Sequence, residues 1–146
     1  YNYWKRMAPP VSLEIFNAPN REVSCVRRDR TNTPLQALVT LNDPQFIEAA
    51  RRLAERALIQ GGGEGERALD LAARRVLSRP LRSPEIALLD SSRRSLLSHY
   101  QKVPADAAAL LSVGETPPDK SLDPAVLATW TMLCNQLLNL DEALNK

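Results

Sequence analysis

Arg28-Asp29-Arg30-Thr31-Asn32-Thr33-Pro34-Leu35-Gln36-Ala37-Leu38, followed by Leu41-Asn42-Asp43-Pro44-Gln45-Phe46, is the stretch whose reading decides the fold. Thr33 with Gln36 three residues later has the form of a capping box. In such a box the hydroxyl accepts from a first-turn amide, and the Gln side chain reaches back to the amide of the cap residue. Pro34 suits the first helical position, where its missing N–H costs no bond and its fixed φ fits the helix. Leu35, Leu38, Val39 and Leu41 then present one apolar face, which is expected to be core. Asn42 can close this helix in the left-handed conformation. Asp43-Pro44 repeats the pattern of cap and first-position proline, so a second helix is expected to start at once, at an angle to the first.

The second helix carries Phe46, Ile47, Ala50, Leu53, Ala54, Ala57 and Leu58 on one side and Glu48, Arg51, Arg52, Glu55 and Arg56 on the other. A period of 3.6 residues directs the first set to the core and the second to water. Glu48 with Arg52, and Arg51 with Glu55, stand four apart, a spacing worth about 0.2–0.5 kcal/mol per pair. The charge run therefore reads as a solvated face rather than a ligand site.

Beyond this pair, Gly61-Gly62-Gly63-Glu64-Gly65 ends the second helix as a loop. A phosphate-cradling loop would need a strand before it and Lys-Ser/Thr after it, and this one has a helix before and Glu66-Arg67 after. A third helix over 66–78 faces inward with Leu69, Ala72, Ala73, Val76 and Leu77. Arg79-Pro80 stops it, and Ser83-Pro84 starts a fourth with Ile86, Leu89, Leu96, Leu97 and Tyr100, giving an expected antiparallel hairpin. Glu85 lies in the first turn of that fourth helix, where the helix dipole favours it, with Arg79 or Arg82 to neutralise it. Its role reads as structural. His99, the single histidine, has no neighbour in sequence that suggests a catalytic triad and also reads as structural. A short helix over 104–111 and an exposed loop over 114–121 precede a last helix that begins at Asp123-Pro124. Its Val126, Leu127, Trp130, Leu133, Cys134, Leu137 and Leu138 should close the core.

Toward the N-terminus, residues 1–30 read as an extended arm. Helical periodicity is absent there, Pro9-Pro10 breaks the chain, Ala18-Pro19-Asn20-Arg21 is turn chemistry, and 23–26 is a short strand or simply extended chain. Tyr1, Tyr3 and Trp4 have few partners nearby in sequence, so Trp4 reads as an anchor on a preceding domain. The opening Tyr1, with no leader behind it, reads as a piece of a longer protein or a processed one. The domain organisation is an arm over 1–30 and a helical domain over 31–146, one domain overall.

Composition agrees with an all-α fold, an irregular bundle of about five helices. Apolar residues are 44% but aromatics only 5%, and Leu and Ala, which dominate the apolar set, favour helix over strand. The formal net charge is +2, with 16 basic and 11 acidic residues in 1–100 and 3 and 6 in 101–146. No block of like charge, zinc-finger spacing or basic helix accompanies that bias, so nucleic acid is not an expected partner. The longest apolar stretch, 125–140, is interrupted by Thr, Asn and Gln and falls short of the roughly 20 residues a membrane span needs. No Cys-x-x-Cys-His or metal-ligand spacing occurs, so no cofactor or metal is expected in this chain.

The residues that carry the motif also carry a resemblance. Phe16-Asn17-Ala18-Pro19-Asn20-Arg21-Glu22, the Arg28-to-Leu38 run and Leu41-Asn42-Asp43 make residues 3–58 resemble a planctomycete-type domain of unknown function. The resemblance continues more weakly through Arg79-Pro80, Glu85 and the segment from Trp130 to Leu144. Asn17 stands where the family pattern has an aspartate. The resemblance implies the C-terminal part of large secreted proteins that often carry a cytochrome-c-like module, and hence an extracytoplasmic location with upstream domains of the same polypeptide as partners. It implies no activity. Secretion would permit a Cys25–Cys134 bridge worth about 4–5 kcal/mol on the loop-entropy model, while the apolar helix around Cys134 favours two buried thiols.

Two functions follow as expectations. One is a helical module that packs against upstream domains in an interaction or structural role. The other is part of a hydrolase or oxidoreductase site acting on a polymeric or anionic substrate, with Arg28, Arg30, Thr31, Asn32, Gln36 and Asn42 binding the ligand. The second rests on more polar groups than two helix starts need. Where those side chains point separates the two: an open cleft favours the site, helix caps favour the module. For Arg28 and Arg30, beside the positive end of a helix dipole, a carboxylate partner from Glu22, Asp29 or Asp43 is expected.

Overall fold

The computed structural model describes residues 11–19, 24–27, 31 and 33–144. Arg28, Arg30 and Asn32, with the expected Arg28 or Arg30 ion pair, lie outside the described residues, as do Tyr1, Tyr3 and Trp4. The fold is all helical, with 8 helices and no strand among the described residues.

The helices are α1 (Val11–Ile15), α2 (Pro34–Asn42), α3 (Pro44–Gly61), α4 (Glu66–Leu77), α5 (Ser83–Lys102), α6 (Pro104–Leu111), α7 (Pro124–Leu138) and α8 (Asp141–Leu144). The expected breaks fall at Asp43, at 62–65, at 78–82 and at 112–123. Five helices among the described residues have proline at N1 or N2 behind a cap residue. Asp43 Oδ1 accepts from Gln45 N at 2.8 Å and Asp123 Oδ1 from Val126 N at 3.0 Å. Gly62 ends α3 with φ +78°, the left-handed conformation that glycine adopts without a Cβ penalty.

α7 is the organising helix. It packs against α3, α5 and α6 most extensively and also touches α2, α4 and α8. Leu127, Ala128, Trp130, Leu133, Cys134 and Leu137 of α7 meet Ala50, Ala54 and Leu58 of α3 and Leu89 and Tyr100 of α5 in one apolar core. The small residues of α3 let the two helix backbones approach closely, and Trp130 fills volume that no other aromatic of the core supplies apart from Tyr100.

The structure corrects several expectations. A one-turn helix, α1, interrupts the arm expected to be extended. Asn17, with φ +52°, closes it: Ala18 N donates to Leu13 O at 2.8 Å and Asn17 N to Glu14 O at 2.9 Å. Asn tolerates this left-handed conformation, so a turn that lacks periodicity still forms locally. The left-handed closure assigned to Asn42 does not occur, because Asp43 ends α2 in the extended conformation and caps α3 at the same time. α4 and α5 do not pair as a hairpin. α4 lies on α3, and α5 lies on α7. The two cysteines are free; Cys25 is exposed rather than buried, and Cys134 is fully buried with its thiol pushed up to about 12 by desolvation. Ser83 is the first residue of α5 and not its cap; Glu85 Oε2 accepts from Arg82 N at 2.7 Å instead.

Candidate functional site

The capping box forms as the sequence requires. Gln36 N donates to Thr33 Oγ1 at 3.3 Å, and Thr33 N donates to Gln36 Oε1 at 3.1 Å. The other end of the Gln36 amide is also engaged: Nε2 donates to Thr31 Oγ1 at 2.7 Å and to Ile15 O at 2.8 Å. Gln36 thus ties α1 to the start of α2 and is only 3% exposed. Asn42 Nδ2 donates back to Leu38 O at 2.8 Å on the surface. Of the six expected ligand-binding residues, Thr31 and Gln36 are brought together and bonded to each other, and Asn42 stands apart at the far end of α2. Their polar groups serve the backbone and one another.

This arrangement turns α2 over. Its buried residues are Gln36 and Thr40. Thr40 lies against α7, where Asn135 Nδ2 donates to Thr40 O at 3.1 Å and the Thr40 hydroxyl meets Asn139 Oδ1. Two of the residues expected in the core point outward instead, Leu35 at 52% and Leu38 at 57% exposed, while Val39 and Leu41 are partly buried. Asn135 of α7 and Asn139 at its end offer hydrogen bonds that leucine cannot use, so the polar stripe of α2 is the one drawn inward. At the other end, Phe16 beyond α1 packs beside Phe46 of α3, ring centroids 6.0 Å apart. The described residues nearest the N-terminus are therefore held against α2 and the start of α3.

The charged side of α3 is exposed at Arg52 and Arg56 but not along its whole length. Arg51 is fully buried and Glu55 nearly so. The segment 112–123 folds over them. Glu48 accepts from Glu115 N at 2.8 Å, from Thr116 N at 3.1 Å and from the Thr116 hydroxyl. Glu55 Oε1 accepts from Asp119 N at 3.1 Å, and Arg51 Nη2 donates to Thr116 O at 2.6 Å. The ion pairs form at three-residue spacing, Arg51 with Glu48 at 3.9 Å and Arg52 with Glu55 at 2.7 Å, in place of the four-residue pairs expected. The Thr116 hydroxyl bond, followed by the Glu115 amide, holds the Glu48 carboxyl below the usual carboxylate range.

Two further readings resolve. Arg79 does neutralise Glu85, in two bonds of 2.9 Å each, and also binds Glu142 of α8 at 2.7 Å. The pairing lowers the Glu85 pKa to about 2, Arg79 being the larger cause and the Arg82 amide the next. His99 Nε2, in contrast to the reading of an isolated histidine, lies 2.7 Å from Asp106 Oδ2 at the start of α6, with both side chains about half exposed.

These features define an all-helical module clasped by its own polar side chains, with no cluster of His, Cys, Asp and Glu arranged for a metal among the described residues. No helix among the described residues is long and apolar enough to cross a membrane. The chain belongs to the PSD1 family, described as a protein of unknown function (DUF1553), whose sequence pattern matches residues 1–92 of the 146. No curated protein and no solved structure matches it.

Proposed function

We propose that this chain is a docking module that packs through the outer face of α2 against a further domain of a longer polypeptide. The observation that carries the reading is the inversion of α2, which buries Gln36 and Thr40 and exposes Leu35 and Leu38 one turn apart on the surface. Leucines at that spacing are the anchors of a helix laid into an apolar groove. The anchoring of α1 on Gln36 supports a partner that precedes this module in the same polypeptide, since it leads the N-terminal residues to α2. A secreted, planctomycete-type protein with a cytochrome-c-like module upstream is the context in which we place it. The site reading is the weaker one, because Thr31, Gln36 and Asn42 are already engaged.

The experiment replaces Leu35 and Leu38 with Asp in both the isolated chain and the longer polypeptide. Exposed positions tolerate such changes within about 0.5 kcal/mol, so the isolated chain should keep its melting temperature. In the longer polypeptide the module should come loose, read as faster proteolysis at its N-terminal boundary and a larger radius of gyration. An unchanged radius and proteolysis rate would exclude docking through α2.

A further inference from the structure

A groove of about 570 Å³ lies between α3, α4 and the turn from α7 into α8, lined by Phe46, Leu53, Val76, Leu138, Ala143 and Leu144, with Arg75 as its one charged residue. We propose that this groove binds a medium-chain fatty acid, with the alkyl chain toward Phe46 and the carboxylate on Arg75. Both halves of that description answer groups in the wall.

The alkyl chain follows from the lining. Apart from Arg75, every lining side chain is a hydrocarbon, and all of them are half-buried. Their outer surfaces therefore stay in water on the chain alone and leave it under an apolar occupant. The helices of the wall spend their backbone groups internally, so an extended peptide would find no strand edge to pair with, and an alkyl chain needs none.

The direction follows from α3. Phe46, Leu53 and Gln60 recur every seven residues along one line of that helix, about 10 Å apart. Phe16 packs beside Phe46 at one end, with ring centroids 6.0 Å apart. At the other end Arg75 Nη2 donates to Gln60 Oε1 at 3.1 Å, which gathers the guanidinium and the Gln60 amide, both carrying N–H donors, in one place. The groove is apolar at one end and rich in donors at the other, as a fatty acid is apolar at one end and an acceptor at the other.

The charge follows from Arg75. It has no carboxylate partner among the described residues, whereas Arg74 is paired with Asp70, and Arg79 with Glu85 and Glu142. A planar guanidinium takes a carboxylate in two parallel bonds. Two other concavities of the fold each set three carboxylates against one arginine, so they repel an anion. The volume falls within the roughly 300–1,000 Å³ of ligand pockets. This inference is independent of docking through α2, which contributes no residue to the groove.

Octanoate is the probe, titrated into the intact chain with octanol and octyltrimethylammonium as its neutral and cationic counterparts, each below its micelle threshold. The methyl signals of Val76, Leu138 and Ala143 are followed by 13C NMR. The expected result is a saturable shift of these methyls, with affinity falling from acid to alcohol to ammonium. Affinity should also rise from octanoate to decanoate, by up to about fourfold per added methylene. Arg75→Gln should weaken octanoate by about fivefold, the upper end for an exposed ion pair, bringing it to the level of octanol without moving the melting temperature. Arg75→Lys should keep part of the preference for the acid. No shift at these methyls, equal affinity for the three head groups, or an Arg75→Gln variant that still prefers octanoate would overturn the proposal. So would shifts that depend on the concentration of the chain alone, which would assign the groove to a second copy.

Discussion

The guanidinium of Arg51, wholly enclosed by the fold, donates to the carbonyl oxygen of Thr116 at 2.6 Å, across 65 residues of sequence. That bond, with a longer one of 3.4 Å to Val113 O, holds the segment 112–123 over the polar side of α3. Removing one partner from a buried charged contact costs about 3–5 kcal/mol. Arg51→Ala is therefore expected to destabilise the chain by about 3 kcal/mol, measured as the shift in urea unfolding. Arg51→Met, which refills most of the volume, should cost less. Equal midpoints for Arg51→Ala and the parent would show that the segment is held without this bond.

Gly114 sits in the same clasp with φ +99°, and a Cβ there would come within 2.8 Å of the Glu48 Cβ and Cδ. Gly114→Ala therefore combines a strained conformation with displacement of the carboxylate that binds Glu115 and Thr116. A loss of about 1–3 kcal/mol is expected. Hydrogen exchange should localise it, with the Glu115 and Thr116 amides losing protection first. Uniform loss of protection over α3 and α7 would place the strain elsewhere.

Thr33 and Gln36 make the same capping box but differ in what else they hold. Thr33→Ala removes one capping hydroxyl and should cost about 1 kcal/mol. Gln36→Ala also strips the donors from Ile15 O and Thr31 Oγ1 and leaves a buried gap, so a loss of about 2–3 kcal/mol is expected. The comparison is made by thermal unfolding of the two variants. A Thr33 variant less stable than the Gln36 variant would mean that the tie between α1 and α2 contributes nothing.

Glu85 predicts the acid behaviour of the α4–α5 junction. Its folded pKa, about 2, lies below the ordinary value of 4.5 because Arg79 and then the Arg82 amide bind the carboxylate. A depressed carboxyl contributes stability that is fully present above its unfolded pKa and is lost as pH falls through the folded one. The stability advantage of the parent over Glu85→Gln should therefore be constant near neutrality and shrink between pH 4.5 and about 2. A difference between the two that stays level over that interval would remove Glu85 from the acid response.

How much of this was legible beforehand differs by element. Asp43-Pro44 and Asp123-Pro124 start helices where their residues say they should, because a cap and a first-position proline act on amides within one turn. Thr33, Pro34 and Gln36 likewise build the expected box. The glycines after α3 end it by a conformation that belongs to the residue itself. The all-helical class and the helix boundaries are thus properties of short stretches of this sequence.

The inward face of α2 was settled only by tertiary structure, whereas the apolar faces of α3, α4 and α7 are buried as their periodicity requires. Periodicity places Leu35 and Leu38 together, yet it does not say that Asn135 and Asn139, a hundred residues away, will draw Thr40 inward and leave the leucines out. Arg51 and Glu55 have the spacing of a wet face, and they are buried because a distant loop closes over them and bonds its backbone to their side chains. α4 and α5 are adjacent in sequence but pack on α3 and α7 rather than on each other. Local chemistry decides where a helix begins and ends, since its caps lie within a turn. Its orientation depends on which distant surface satisfies its polar groups at the lower desolvation cost, and that surface exists only once the chain has folded.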